Sequence, residues 1–577
     1  MTNSKERELL LGSEPYTISS GFTEIEKKGN SRWRWALDLE QSLQFVPAAI
    51  ECRIFYSMLL PLPGMKVTIS KGQTVCLVLA SEVEEEFFRG YFDLRFSEEE
   101  KNFPVILNFL TEPNLDGRRH KENPRLAFLV NRFTLSVGNE EQEISKNDLE
   151  QFHKHGSATL CALPFAEVFI NEEGMSFPCC FSVQTLDDFR VMATSARSSS
   201  SSEPELFSRA WNSESVRRVR KEMILGKRPA VCRRCFEAED SGGTSFRTEM
   251  EKVFDPSLLE NAKRLTAQVT SDGRIAAPPA MLDIRLGNLC NLKCRMCNPL
   301  SSVNLIEDFE EIYHKSFHNK KTVHWHRDQK FMEEMVEVCK TISLLNLAGG
   351  EPFLIPEVKT LLTLLVSKGY SNEIHLSLIT NCTVLDQTLL ALFKNFKSVQ
   401  LIVSLDGLHE VNDYIRYPSK FLKIEENLTF LHENMESLKI RPIKFNTTVQ
   451  ILNIFNIPSL LRYLRTHYPL FHWLPNLSVL TGPEEYSFCV LPKKDRHRAI
   501  DQLIEYLHEE QDRFKRKYVN DLISIDSIEK QIGSVLGHLD GPDNSHLIPD
   551  LCRTNKILDS RRTNSPKLSD PELSFLF

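Results

Sequence analysis

The chain has 577 residues, 41% hydrophobic and 26% charged, the balance of an ordinary globular protein, so collagen, a disulfide-stapled miniprotein and wholesale disorder are excluded. At about 150 residues per domain, the length predicts about three or four domains. Lys and Arg number 70 against 78 Asp and Glu, a net charge of −8, which leaves no basic excess for nucleic acid.

The N-terminus, MTNSKERELLLGSEPY, has three consecutive leucines between charges, short of the apolar core of about 7–15 residues in a secretory signal. Apolar runs such as Thr74 to Ala80 fall far below the roughly 20 residues that span a bilayer. A cytoplasmic chain without a membrane span is expected. Its 14 cysteines then stay reduced, and clustered ones are metal ligands rather than disulfides.

Residues 1–150 hold short β-prone runs, at Cys52–Tyr56, Lys66–Ile69, Thr74–Ala80, Val105–Phe109 and Arg132–Val137, separated by turn formers. They predict an antiparallel all-β sandwich. The stretch GFTEIEKKGNSRWRWALDL, these strands and ENPRLAFLVNRFTLS resemble the jelly-roll accessory domains of bacterial glycan-assembly enzymes. Residues 151–250 carry spaced cysteines and a serine tract, Ser198–Ser202, that reads as a solvated loop. In residues 251–482, strands at Met281–Leu286, Ser343–Ala348, Ile374–Ile379, Ser398–Leu405, Lys444–Gln450 and Leu477–Leu480 alternate with helical stretches. Such β/α units imply a parallel sheet curling into a partial (β/α)6 barrel, with ligands at the C-terminal strand ends. Residues 483–577 read as a helical region: a charged run from Asp495 to Arg516, then a polar tail without a site.

Directly after the first barrel strand comes GNLCNLKCRMCNPLSS, which sets Cys290, Cys294 and Cys297 in a C-x3-C-x2-C array. Thiolates suit zinc or an iron–sulfur cluster, but structural zinc wants four ligands and this loop offers three. A cubane held by three cysteines leaves one iron open to a substrate or cofactor. The array resembles the signature of radical S-adenosylmethionine (SAM) enzymes, whose open iron chelates the amino and carboxylate groups of SAM. Gly349-Gly350-Glu351-Pro352, after the second strand, is similar to that family's GGE motif. Its glycines let the backbone approach a ligand, and Glu351 can accept from the SAM ammonium.

The resemblance implies further SAM contacts: Met296 against the adenine, Thr380 and Asn381 after the third strand, Ser404 and Asp406 ending the fourth, and Arg416 clamping the SAM carboxylate. Local packing for Met296, and capping or turn roles for the others, are the alternatives. The implied reaction is one-electron reduction of a [4Fe-4S] cluster, reductive cleavage of SAM to methionine and a 5′-deoxyadenosyl radical, and hydrogen abstraction from substrate. A reductase such as flavodoxin or ferredoxin is then a partner. No catalytic side chain is singled out.

A second set has Cys161, twelve residues, Gly174, four residues and Cys179, and later Cys232-x2-Cys235. It resembles the auxiliary-cluster domains called SPASM or twitch in the same superfamily. FEAEDSGGTSFRTEM supplies no further cysteine, which implies the shorter twitch type: one auxiliary [4Fe-4S] cluster on Cys161, Cys179, Cys232 and Cys235. Cys180 is the alternative to Cys179, and a tetrahedral zinc the alternative to the cluster. The auxiliary segment precedes the barrel, the reverse of the better known members. WNSESVRRVRKEMILGKRPAVCRRC, GPEEYSFCVLP and DNSHLIPDL resemble segments of proteins with this inverted order, so the resemblance covers about residues 155–560. Cys52, Cys76, Cys339, Cys382, Cys489 and Cys552 lack mutual spacing and read as buried or idle thiols.

Relatives with such domains act on carbohydrate-like alcohols or on peptide side chains. The glycan-type sandwich favours a sugar or polyol, with a peptide-modifying maturase or a non-catalytic, metal-stabilised glycan-binding protein as alternatives.

Overall fold

The computed structural model describes residues 144–182, 210–240, 245–248, 256–314, 324–480, 482–515, 522–539 and 541–562, with the strands of residues 1–143 and one at 191–192. The chain divides into two compact units, Met1–Glu143 and Ile144–Phe577.

In the first unit the strands are β1 (Arg7–Leu9), β2 (Ile18–Ser20), β3 (Glu26–Lys28), β4 (Ser31–Trp35), β5 (Glu40–Phe45), β6 (Glu51–Leu60), β7 (Lys66–Lys71), β8 (Thr74–Ala80), β9 (Glu86–Arg95), β10 (Val105–Glu112) and β11 (Leu129–Val137). One sheet runs β3-β4-β11-β6-β9, with β1 on β11; the other runs β2-β5-β10-β7-β8. Pairing is antiparallel, and β6 meets β9 without a break from Glu51↔Arg95 to Leu60↔Glu86. The side chains here, those of Cys52 and Cys76 included, lie outside the described residues, as do the expected sheet-on-sheet packing and the Ser198–Ser202 tract.

The second unit is built on one sheet in the order β14-β13-β12-β15-β16-β17-β18-β19-β20. Its strands are β12 (Glu167–Ile170), β13 (Met175–Phe177), β14 (Val191–Met192), β15 (Met281–Arg285), β16 (Leu344–Ala348), β17 (His375–Thr380), β18 (Ser398–Ser404), β19 (Ile440–Val449) and β20 (His472–Val479). β15 to β20 are parallel in chain order, as the alternating pattern predicts. β12 also pairs parallel with β15, from Glu167↔Met281 to Ile170↔Ile284, so the cysteine-bearing segment extends the same sheet. β20 begins at His472, five residues before the sequence suggests. Pro475 breaks its strand pattern, and proline is tolerated there because β20 is an edge.

Alternation assigns the faces. In β18, Val399, Leu401 and Val403 are fully buried, while Ser398, Gln400, Ile402 and Ser404 are half-buried. Amphipathic helices cover the apolar face: Pro356–Ser367 buries Val358, Leu361, Leu362 and Leu365, an i, i+3, i+4, i+7 stripe. The Asp386 carboxylate caps Gln387–Phe393 by accepting from Thr388 N and Leu389 N. The charged run folds as the helix Lys493–Lys515, followed by Ile525–Leu539 and Ile548–Arg561. No helix among the described residues is long and apolar enough to cross a membrane.

Candidate metal and cofactor centre

The motif residues sit at or just beyond the C-terminal ends of their strands; Thr380 and Ser404 are the last residues of β17 and β18, and Asn381 and Asp406 follow them. After β15 the chain enters the cysteine loop, where Cys290 and Cys294 are buried and Cys297 half-buried, packed with Leu292 and Met296. Burial pushes the Cys290 and Cys294 thiols up to about 12 and Cys297 up to about 11, while the Arg416 guanidinium draws each back down. The donors are therefore protonated thiols until a metal displaces the proton.

The two glycines after β16 press this loop into place. Gly349 and Gly350 have φ of +79° and +51°, the left-handed region. A Cβ on Gly349 would stand 2.8 Å from Arg285 Cβ, and one on Gly350 would strike the Leu289 backbone. Glu351 N–H donates to Leu289 O at 2.8 Å, so the motif grips the stretch just ahead of Cys290.

Glu351 itself is fully buried. Its carboxylate accepts from Thr380 Oγ1 at 2.9 Å, Asn381 N at 2.7 Å and Phe353 N at 3.2 Å, and burial lifts its pKa to about 7 in spite of these bonds. Asn381 Nδ2 lies 3.0 Å from Asn291 Oδ1 and 4.0 Å from Cys290 Sγ. Asn291 Nδ2 donates onward to Thr383 Oγ1 at 2.8 Å. Loops from three successive strands are thus joined around one sulfur.

Beyond β18, Asp406 is fully buried; its Oδ1 accepts from Thr448 N at 2.7 Å, and its Oδ2 stands 2.7 Å from Arg416 Nε. Arg416 Nη1 lies 4.0 Å from Cys294 Sγ. Against the pull of burial, the Asp406 carboxylate holds this guanidinium charged. Ser404 is half-buried opposite Asn446 on β19.

The second cysteines come from four local settings: Cys161 before the turn Leu163–Ala166, Cys179 after β13, Cys232 closing a 3-10 turn, and Cys235 in the helix Arg233–Asp240. They are near enough for Cys179, Cys232 and Cys235 to push the Cys161 pKa up after burial has done so. Cys180 is hydrogen-bonded to Asp283; after burial, Asp283, Glu167 and then Cys179 push its pKa up. Gly174, φ +77°, turns the chain between β12 and β13, where a Cβ would lie 2.8 Å from the Trp325 ring. Among the described residues, no three His, Cys, Asp or Glu side chains converge as a single ion requires.

Several residues of the centre carry no sequence signal. Arg295, between Cys294 and Met296, has a fully buried side chain. It donates to Tyr414 O at 3.0 Å and Asn555 Oδ1 at 2.9 Å, and also to Asp559. Asn555 Oδ1 accepts from Tyr486 Oη at 2.8 Å as well. The segments GPEEYSFCVLP and DNSHLIPDL thereby lead into the support of the cysteine loop; only their resemblance hinted at a role.

Residues 284–452 match the Radical SAM superfamily. No curated protein matches the chain. Among solved structures, native anSMEcpe with bound AdoMet and Kp18Cys peptide is 20% identical over 41% of this chain and 63% of its own, under two thirds of its length, at a TM-score of 0.30. Streptococcus suis SuiB bound to S-adenosylmethionine is 13% identical over 54% of this chain and 64% of its own, TM-score 0.27. The C-terminal CBM6 of LamC from Zobellia galactanivorans is 9% identical over 23% of this chain and 99% of its own, TM-score 0.17. Over residues 284–452 the chain is therefore similar to the Radical SAM superfamily.

Proposed function

We propose that the protein is a two-cluster radical SAM enzyme of oxidoreductase type acting on a carbohydrate-like or polyol substrate. The reading rests above all on the joining of three strand-end loops at the triad, where Glu351 ties Thr380 and Asn381 together within 4.0 Å of Cys290 Sγ. The donor set fits a cluster: three thiols on one loop, with the Arg416 guanidinium beside Cys294 to offset thiolate charge. When bound, cluster and SAM supply the one-electron cleavage that yields the 5′-deoxyadenosyl radical.

The chain's own residues bind and orient. Glu351 uses three of about four lone-pair sites, so one stays open to an ammonium. Arg416, held by Asp406, offers its remaining nitrogens to a carboxylate, and Met296 packs at the loop's rim. Cys161, Cys179, Cys232 and Cys235 hold the auxiliary [4Fe-4S] cluster in the twitch-type reading, with Cys179 as ligand because Cys180 faces Asp283.

Substrate class is supported by the polar face of the sheet, where Asp283 and Ser377 are buried and Asn346 and Gln400 half-buried. Asp283, Asn346, Ser377 and Gln400 are in register across β15 to β18, and Asn446 pairs with Ser404. Their hydroxyls, amides and single carboxylate match a ligand rich in hydroxyl groups. A flavodoxin or ferredoxin delivers the electron.

Anaerobic reconstitution tests the reading. The expected result is about eight iron and eight sulfide per chain, dithionite-driven release of 5′-deoxyadenosine, and no release from Cys294→Ala. Transfer of deuterium from a labelled polyol into 5′-deoxyadenosine supports the substrate class; transfer only from a labelled peptide replaces it. Stoichiometric zinc without SAM cleavage sinks the proposal.

A further inference from the structure

The C-terminal helix Ile548–Arg561 lies outside the superfamily match, yet it is fastened to the cysteine loop. Arg561 Nε and Arg562 Nη2 reach Asp308 at 3.0 and 3.5 Å, and Lys293, next to Cys294, reaches the same carboxylate at 3.6 Å. Arg562 is 3% exposed, with its guanidinium 5.4 Å from the Tyr417 ring centre. Tyr417 O in turn accepts from Lys293 N at 2.6 Å. Nε and Nη1 of Arg562 are buried without a partner, an arrangement that calls for an explanation in a native core. Arg562 and Cys294 line one small cavity with Arg295, Tyr486, Thr554 and Leu558, and Thr554 Oγ1 is unpartnered too.

The cations on this side differ in how fully they are paired. Arg416 is matched by Asp406, and Arg295 by Asp559. Lys293, Arg561 and Arg562 share Asp308 and Glu307, three cations on two carboxylates, and Glu485 lines the cavity as well. An electron entering a cluster adds a negative charge, so a buried cation nearby favours the reduced form.

Resting on the radical SAM reading above, we infer that Arg562 sets the reduction potential of the cluster held by Cys290, Cys294 and Cys297, by placing a buried guanidinium with two unpartnered nitrogens beside the Cys294 corner. It is a positioning residue that acts through the cluster and touches no substrate. The helix Ile548–Arg561 is the fixture that keeps it there.

The test uses the full-length chain carrying Cys232→Ala and Cys235→Ala, so that one cluster remains, reconstituted with iron and sulfide and titrated with dithionite under EPR. Arg562→Gln is expected to lower the reduced-to-oxidised ratio at fixed potential about tenfold, a one-electron shift of about 59 mV to more negative potential, at unchanged iron content. Arg562→Lys restores the parent midpoint. Asp308→Asn, which removes a compensating charge, shifts the midpoint the opposite way and decides the matter should Arg562→Gln fail to load iron. An unmoved midpoint in a loaded Arg562→Gln, or in Asp308→Asn, overturns the inference alone, provided the parent loads iron and its EPR signal responds to SAM. A parent that takes up no iron overturns both the inference and the reading beneath it.

Discussion

Glu351 shows how little slack the centre has at the scale of one residue. Both carboxylate oxygens accept from fixed donors on β17 and its own loop. Glu351→Gln must turn an amide NH2 toward one of them, leaving a buried donor unmatched at a cost of about 1–3 kcal/mol. A lowered urea midpoint is expected, together with SAM affinity reduced about tenfold by equilibrium dialysis. Gly350→Ala adds a Cβ against Leu289 at a left-handed φ. The strain, about 1–3 kcal/mol, falls on the loop that carries Cys290, so poorer iron uptake is the expected readout. The identity of these residues was legible from their motifs, but the bonds between them were not, because Glu351 and Asn381 come from different strands. Cys382, read as a buried or idle thiol, is fully buried, and its backbone, which the sequence does not reveal, holds a left-handed turn, φ +56°, right after Asn381, with its carbonyl accepting from Asn427 Nδ2 at 2.8 Å.

Between elements, the coupling of the cysteine loop to the C-terminal helix is the main departure from expectation. Arg295 spans the two, stacked 3.6 Å over Tyr414 and bonded to Asn555 and Asp559. Arg295→Met and Asp559→Ala are expected to be non-additive in denaturant unfolding, with a coupling of about 0.5–3 kcal/mol. Additive effects would mean that the helix merely lies nearby. Arg295 has no periodic or spacing signal, and its partners are more than 250 residues away in sequence, so only packing reveals them. The alternating strands, by contrast, were readable because period-two burial writes itself into each segment.

For the molecule as a whole, the division at Glu143 and Ile144 predicts that residues 144–577 alone keep both iron–sulfur sites and release 5′-deoxyadenosine within about twofold of the full chain, as an independently folding unit should. Iron analysis and product chromatography check this. Cys232→Ala in the full chain is expected to halve the iron, from about eight to about four per chain, while leaving SAM binding intact. By itself the sequence determined the two cysteine sets, the GGE motif and the order of the parallel strands, since each is a local pattern of side-chain chemistry and spacing. Tertiary structure alone decided that β12 joins the same sheet, that Cys180 lies beside Asp283 and Glu167, and that the C-terminal helix braces the cysteine loop. Those outcomes depend on which distant surfaces can bury charge and apolar area together, a property of the folded whole that no short window of residues contains.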